Sequence, residues 1–316
     1  GLMVCYEAAV AGGIPIIKAL REGLSANRIN WLAGIINGTT NFILSEMDTK
    51  GREFADVLSE AQAKGYAEAD PTFDVEGIDA SHKLAILASI AFAMPLSLEG
   101  LFTDGITQLE PQDVAYAREL GYVIKHLGIA RQTDAGVELR VHPTLVPERS
   151  LIAGVNDVAN AIMVNADAVG TTLFSGPGAG AEPTASSVIA DIVDVARAMD
   201  SYPDSWVPAL GCSPSVIEPR TLMNIEDVET GFYIRFSALD KPGVLSDVTK
   251  IMGDAGISIE AIIQREQPAG ERYVNVIILT NVTKEKCLNE AVTHIEHLET
   301  VRGEVSFIRV EYLDQV

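Results

Sequence analysis

Residues 231–264 read GFYIRFSALDKPGVLSDVTKIMGDAGISIEAIIQ. Phe232, Ile234, Phe236 and Ala238 alternate with Tyr233, Arg235 and Ser237, which is the two-residue period of a strand. After the turn Asp240-Lys241-Pro242-Gly243, the apolar residues Val244, Leu245, Val248, Ile251 and Met252 fall at helical spacing. Gly256 ends that helix, and Ile257 to Gln264 returns to a strand. Pro268-Ala269-Gly270 marks a turn, Tyr273 to Thr280 a third strand, Lys284 to His297 a second helix, and Glu304 to Glu311 a fourth strand. The order βαββαβ over about 85 residues is a split βαβ, ferredoxin-like unit.

Upstream the texture changes. Pro203, Pro208, Pro214 and Pro219 exclude a long helix, so 203–228 reads as a linker between a first block (1–202) and a second (229–316). A chain of 316 residues is long enough for about two domains. With 23 Lys plus Arg against 44 Asp plus Glu, the formal charge is −21, which repels phosphate backbones and anionic lipid. No basic patch offsets it, so neither nucleic acid nor a membrane is expected as a partner. The longest apolar run, Leu84 to Leu96, falls short of the roughly 18 residues that span a bilayer and reads as a buried helix. Cys5, Cys212 and Cys287 lie far apart without metal or disulfide spacing, and no secretory signal precedes them. A reduced, cytoplasmic setting is the expectation. The opening GLMVCYEAAVAGGIPII is apolar and Gly-rich, unlike a frayed terminus, and suggests a chain that begins inside a domain.

The chemistry concentrates in residues 65–83, GYAEADPTFDVEGIDASHK. Glu68, Asp70, Asp74, Glu76 and Asp79 crowd around one Lys, with Asp70-Pro71 and Gly77 breaking regular structure before a helix that starts near Ile78 or Asp79. Four readings are open. One is a solvated acidic loop with an Asp79–Lys83 surface pair at i,i+4. A calcium loop does not match the required ligand spacing, and a Mg²⁺ site for phosphoryl transfer lacks a phosphate-cradling loop. The fourth is an amino-acid site, in which carboxylates hold an ammonium group and Lys83 supplies a proton. Lys83 stands where the helix enters an apolar core segment, which favours the fourth.

Two resemblances add to this reading. Residues 229–316, through Asp240-Lys241-Pro242-Gly243-Val244-Leu245 and Gly256-Ile257-Ser258-Ile259, resemble an ACT domain, an amino-acid-sensing module. That resemblance implies an effector site at Asp240, Gly243 and Val244, where helix amides attract a carboxylate and Asp240 meets the ammonium. The alternative is that Asp240 merely caps the helix.

The first block resembles homoserine dehydrogenase. The matching segments are Gly13-Ile14-Pro15-Ile16-Ile17, Gly34-Ile35-Ile36-Asn37-Gly38-Thr39-Thr40-Asn41, Gly65-Tyr66-Ala67-Glu68-Ala69-Asp70-Pro71, and Asp79 with Lys83. The resemblance implies an α+β protein: a catalytic domain of mixed β-sheet with helices packed on it, followed by the ferredoxin-like βαββαβ unit. It implies NAD(P)H-dependent interconversion of L-aspartate 4-semialdehyde and L-homoserine, in the biosynthesis of threonine, methionine and isoleucine. Lys83 is then the proton donor, and Glu68, Asp79, Asp74 and Thr39 line the substrate site; the alternative for residues 37–40 is a tight turn with a Thr helix cap.

Gly180, in the loop Ser175-Gly176-Pro177-Gly178-Ala179-Gly180 before a helix from Ala185 to Met199, is implied as a cofactor contact. Glu7, Val10, Gly12 and Ile14 match positions that hold a monovalent cation such as Na⁺, the alternative being a plain Gly-Gly turn. L-threonine is the implied effector and a homodimer or homotetramer the implied assembly. The family's nucleotide-binding domain would precede Gly1, with 1–13 and about 171–200 adjoining it. It carries the residue that selects NAD or NADP, and without it little activity is expected. A different class of function also stands, a non-catalytic amino-acid-sensing module. His294 and His297 read as a solvated helix face.

Overall fold

The computed structural model describes residues 2–202, 206–265 and 272–313. The first block runs α1 (Ile16–Lys18), β1 (Ile29–Ile35), α2 (Gly38–Lys50), α3 (Phe54–Ala63), α4 (Thr72–Val75), α5 (Ile78–Phe92), β2 (Phe102–Thr103), α6 (Pro111–Glu119), β3 (Tyr122–Thr133), β4 (Gly136–Pro147), β5 (Ala159–Ala166), β6 (Gly170–Pro177) and α7 (Ala181–Ala198). The second runs β7 (Glu229–Leu239), α8 (Val244–Asp254), β8 (Ile259–Gln264), β9 (Tyr273–Thr280), β10 (Thr283–Lys284), α9 (Glu285–Glu296) and β11 (Val301–Val310). The fold is α+β.

β1 sits mid-sheet, antiparallel to β3 (Leu32↔Ala130) and to β5 (Leu32↔Val164). From Leu32 on, its sequence INWLAGI is apolar on both faces because both are covered there. Leu32 faces a core with Ile17, Leu84 and Leu87, and Ala33 faces one with Ile129, Ile152 and Met163. Strand order in the sheet is β6-β5-β1-β3-β4-β11-β7-β9-β8. The second block contributes β11-β7-β9-β8, as its ferredoxin-like order requires, with α8 and α9 packed over Phe232, Ile234, Phe236 and Ile278. Its expected turn at 268–270 lies outside the described residues.

The two blocks share this sheet. β11 pairs with β4 in parallel register, Arg309↔Thr144 and Val310↔Leu145. Buried charges line the joint. Arg140, 1% exposed, reaches Glu311 at 2.5 Å and Glu138 at 3.0 Å, and Arg309 grips Glu285 through two hydrogen bonds while lying 4.7 Å from the Phe102 ring centre. Asp113, wholly buried on α6, accepts two bonds from Arg235 and one from the Tyr233 hydroxyl. Buried pairs of this kind hold a geometry, because removing one partner leaves an uncompensated charge.

Three expectations need adjusting. The described part of 203–228 is a strap laid along the first block. Ala209 accepts from Tyr6, Glu218 donates its amide to Ala93, and Leu222 forms a bridge with Val137. α7 begins at Ala181, four residues earlier than Ala185, since Pro183 falls in the first turn, where its missing N–H costs nothing. The apolar run of α5 outlasts its helix, which ends at Ala93 in a left-handed conformation, leaving Leu96 61% exposed. No described helix is long and apolar enough to cross a membrane.

Candidate active site

β1 ends at Ile35, and two residues later the chain turns into α2. Asn37 is the N-cap: its backbone is extended and its Oδ1 accepts the Thr40 amide at 2.9 Å. The cap at this turn is therefore Asn37 and not a threonine. Thr39, in the first turn, donates its hydroxyl to the Tyr66 carbonyl at 2.6 Å, which draws the 65–71 loop against the start of α2. Tyr66 packs edge-on to Phe42 at 5.2 Å.

The acidic block folds as α4, a left-handed Gly77 (φ +79°), and α5. Gly77 suits this corner because the left-handed region penalises a Cβ, and a Cβ here would also meet the buried His126 ring at 3.1 Å. The corner brings Asp74 and Asp79 onto one amide. Asn37 Nδ2 donates to Asp74 Oδ1 at 2.7 Å and to Asp79 Oδ2 at 2.8 Å. Lys83, one turn along α5, donates to the same Asp79 Oδ2 at 2.7 Å and to the Ile36 carbonyl at 3.1 Å. Asp79 and Lys83 are about one-fifth exposed, so the pair is half-buried and not a surface ornament. Burial holds the Asp74 carboxyl above its usual range, with Asn37 pulling the other way and Asp79 pushing further up.

Lys83 has three donors and two are engaged, leaving one for a ligand. Among the described residues no hydrogen bond reaches Asp79 Oδ1 from a side chain. A free N–H beside free carboxylate oxygens is an arrangement that binds an ammonium at one end and hands a proton to an oxygen at the other. Glu68 lies on the exposed 65–71 loop, where its carbonyl accepts from Gln62. The structure brings its segment to α2 through Tyr66 but ties its carboxylate to neither aspartate. His82 points away, edge-on to Phe73 at 5.5 Å.

Sequence reasoning missed several supports of this site. One is the Asn37 bridge, signalled by an Asn immediately before a helical stretch. The others, Ser81 Oγ bonded to Thr103 Oγ1 at 2.7 Å and the His126 ring under Gly77, leave no local signal because their partners are distant in sequence. Lys125 is buried on β3 and donates to the Val155 carbonyl and Asn156 Oδ1; burial lowers it to about 8.

A second region is formed by the turn at Gly12-Gly13 and the end of β6. The Gly12 and Gly13 amides donate to the Gly178 and Pro177 carbonyls. Gly180 (φ +124°) is the N-cap of α7 and has no side-chain cap, so the helix presents backbone amides there. At the four expected cation positions, the Glu7 carboxylate accepts the Ile17 and Lys18 amides, the Gly12 carbonyl accepts the Ser187 hydroxyl, and the Ile14 carbonyl accepts the Ile16 amide. Val10 is fully buried beside them.

In the second block a cavity of about 320 Å³ opens beside the β7–α8 loop, lined by Asp240, Lys241, Gly243, Val244 and Gln264. Gly243 is the N-cap of α8; Asp240 does not cap it and instead accepts from Gln264 Nε2 at 3.2 Å. His294 is exposed on α9, and His297, also exposed, is its C-cap.

A mixed sheet carrying a half-buried lysine–carboxylate corner, joined to a ferredoxin-like βαββαβ unit, defines a two-block α+β protein with a candidate acid–base site. Comparison with known proteins makes this specific. Residues 15–193 match the family model described as homoserine dehydrogenase, and residues 232–291 match the ACT domain. A homoserine dehydrogenase of Pseudomonas aeruginosa is 60% identical over 314 residues, 99% of this chain and 72% of the relative, and one of Neisseria gonorrhoeae is 51% identical. The crystal structure of a homoserine dehydrogenase from Thiobacillus denitrificans superposes with a TM-score of 0.92 at 58% identity, over 98% of this chain and 70% of that one. A hyperthermophilic archaeal homoserine dehydrogenase, solved in complex with NADPH, matches 61% of this chain and 55% of its own at TM-score 0.52 and 27% identity. The chain belongs to the homoserine dehydrogenase family, whose members are NAD(P)-dependent oxidoreductases.

Proposed function

We propose that the Asp79–Lys83 corner is the substrate site for the interconversion of L-aspartate 4-semialdehyde and L-homoserine in a cytoplasmic amino-acid biosynthetic pathway. The single observation that carries this reading is Lys83, held 2.7 Å from Asp79 at the edge of burial with one donor unassigned. Glu68 and Asp79 supply carboxylates for the substrate's ammonium group, with Asp74 a further acid lining the pocket beside it. Thr39 fixes the 65–71 loop through Tyr66.

A bound nicotinamide cofactor would supply a hydride to the substrate's C4 in its reduced form and accept one from C4 in its oxidised form. As C4 gains the hydride, the carbonyl oxygen gains negative charge and takes a proton from Lys83 Nζ; in the oxidation Lys83 takes that proton back. The amides at Gly180 and the first turn of α7 suit a phosphate or other anionic part of the cofactor, since they are uncapped. A monovalent cation at Glu7, Val10, Gly12 and Ile14 would rest on backbone carbonyls, two of which already accept hydrogen bonds.

L-Threonine is the effector we assign to the cavity at Asp240, Gly243 and Val244. Asp240 would meet its ammonium, and the uncapped start of α8 its carboxylate. The assembly we expect is a homodimer or homotetramer.

The test is homoserine-dependent reduction of NADP and of NAD by the protein with any coding sequence upstream of Gly1 included, followed by titration with L-threonine in that parent protein and in its Asp240→Ala variant. Turnover that threonine suppresses in the parent and not in Asp240→Ala supports both assignments. Absence of homoserine-dependent turnover in folded protein supports a non-catalytic amino-acid sensor instead.

A further inference from the structure

Asn37 joins three elements through one buried amide. Its Oδ1 takes the Thr40 amide and so caps α2, which fixes which end of the side chain is nitrogen. The two Nδ2 hydrogens then face Asp74 on α4 and Asp79 on α5, at 2.7 and 2.8 Å. The residue is 4% exposed, and both bonds run from its buried amide to partly exposed carboxylates. Helix capping and carboxylate spacing are thus set by the same group.

The electrostatic need for it is plain. Two carboxylates brought together without cation or donor between them favour protonation of one. Facing the pair are Lys83 from α5, which reaches Asp79, and Asn37 and Thr39 from α2. Asn37 is the one that contacts both acids.

We propose that Asn37 is a positioning residue that clamps Asp74 and Asp79 into a converging carboxylate pair, set in advance for the substrate's ammonium group. The proposal rests on the reading that these carboxylates bind that group. Burial raises the Asp74 carboxyl, and Asn37 is the largest influence lowering it. Loss of the clamp therefore moves the Asp74 carboxyl further up.

Asn37→Ser separates clamping from capping, because a serine hydroxyl still accepts the Thr40 amide but reaches neither acid. The Asp74 carboxyl is followed by ¹³C NMR of aspartate-labelled protein, assigned with Asp74→Asn, alongside the pH profile of kcat/KM for homoserine oxidation. In Asn37→Ser the Asp74 midpoint is expected to rise by about one pH unit. The acid limb of the profile should follow it, and KM for homoserine should rise roughly tenfold. Asn37→Asp, which keeps a capping oxygen but adds a third carboxylate, should shift both further and serves if the serine variant is unstable. An unchanged Asp74 midpoint in both variants overturns the clamp and leaves Asn37 a cap. A shifted midpoint with unchanged KM upholds the clamp and overturns the assignment of the pair to the ammonium group.

Discussion

Lys83 Nζ stands 2.7 Å from Asp79 Oδ2, one turn apart on α5, and the same carboxylate oxygen accepts from Asn37. Asp79 is therefore the hub that holds the lysine in place while its other oxygen stays available. Asp79→Asn keeps the shape but removes the charge that both the lysine and a ligand ammonium require. KM for homoserine should rise tenfold or more, roughly the effect of losing a charge-assisted hydrogen bond. Steady-state kinetics with the melting temperature as a control checks this.

Gly77→Ala should be costly although it adds one methyl group. The left-handed backbone alone penalises a side chain by about 1–2 kcal/mol. The new Cβ would also press on the His126 ring. Relief moves the start of α5, so urea unfolding should show the lost stability and kinetics a loss of kcat/KM.

Acid should weaken the fold through His126. The buried ring donates from Nε2 to the Asp104 carbonyl at 3.0 Å, and burial pushes its pKa down to about 4 from an ordinary 6.5. Between those values the unfolded chain binds a proton that the native state refuses. This contribution is therefore whole above pH 6.5 and is lost as the pH falls toward 4. A shift of that size corresponds to roughly 3 kcal/mol. His142, pushed the same way by burial and by Arg309 and Arg140, steepens the slope. Urea midpoints across this range should fall more steeply for the parent than for His126→Leu.

The second block should loosen from the first when Asp113 is replaced. Asp113→Ala removes the carboxylate that binds the Arg235 guanidinium through two bonds and leaves it only the half-exposed Glu110 at 3.0 Å. Breaking a buried pair outright costs roughly 3–5 kcal/mol, and the remaining partner places this loss below that range. Limited proteolysis should then cut within 206–228 faster than in the parent.

The second block was legible because its periods are clean. Strand alternation in 232–238 gives way to helical spacing after Asp240-Lys241-Pro242-Gly243, and the structure has β7 and α8 there. The long strands β3 and β4 were hidden for the opposite reason. Lys125, His126, Arg140 and His142 are buried on them, so the apolar pattern is broken, and one of the two charge partners of Arg140, Glu311, lies 171 residues away. At the site, the Asp79–Lys83 pair follows from helical spacing alone. Asn37 does not, because a cap residue's second role depends on which loops fold onto it. Glu68 was singled out by composition and resemblance, and on its exposed loop its carboxylate has no hydrogen-bond partner among the described residues.

The most direct test of the central claim is homoserine-dependent reduction of NADP and NAD by the protein, with any coding sequence upstream of Gly1 included, beside the same protein carrying Lys83→Ala. Turnover in the parent that falls by roughly 10²–10⁴-fold in the variant, with threonine binding unchanged, is the predicted result. Turnover equal in both proteins would contradict the assignment of Lys83 as the group that gives and takes the proton.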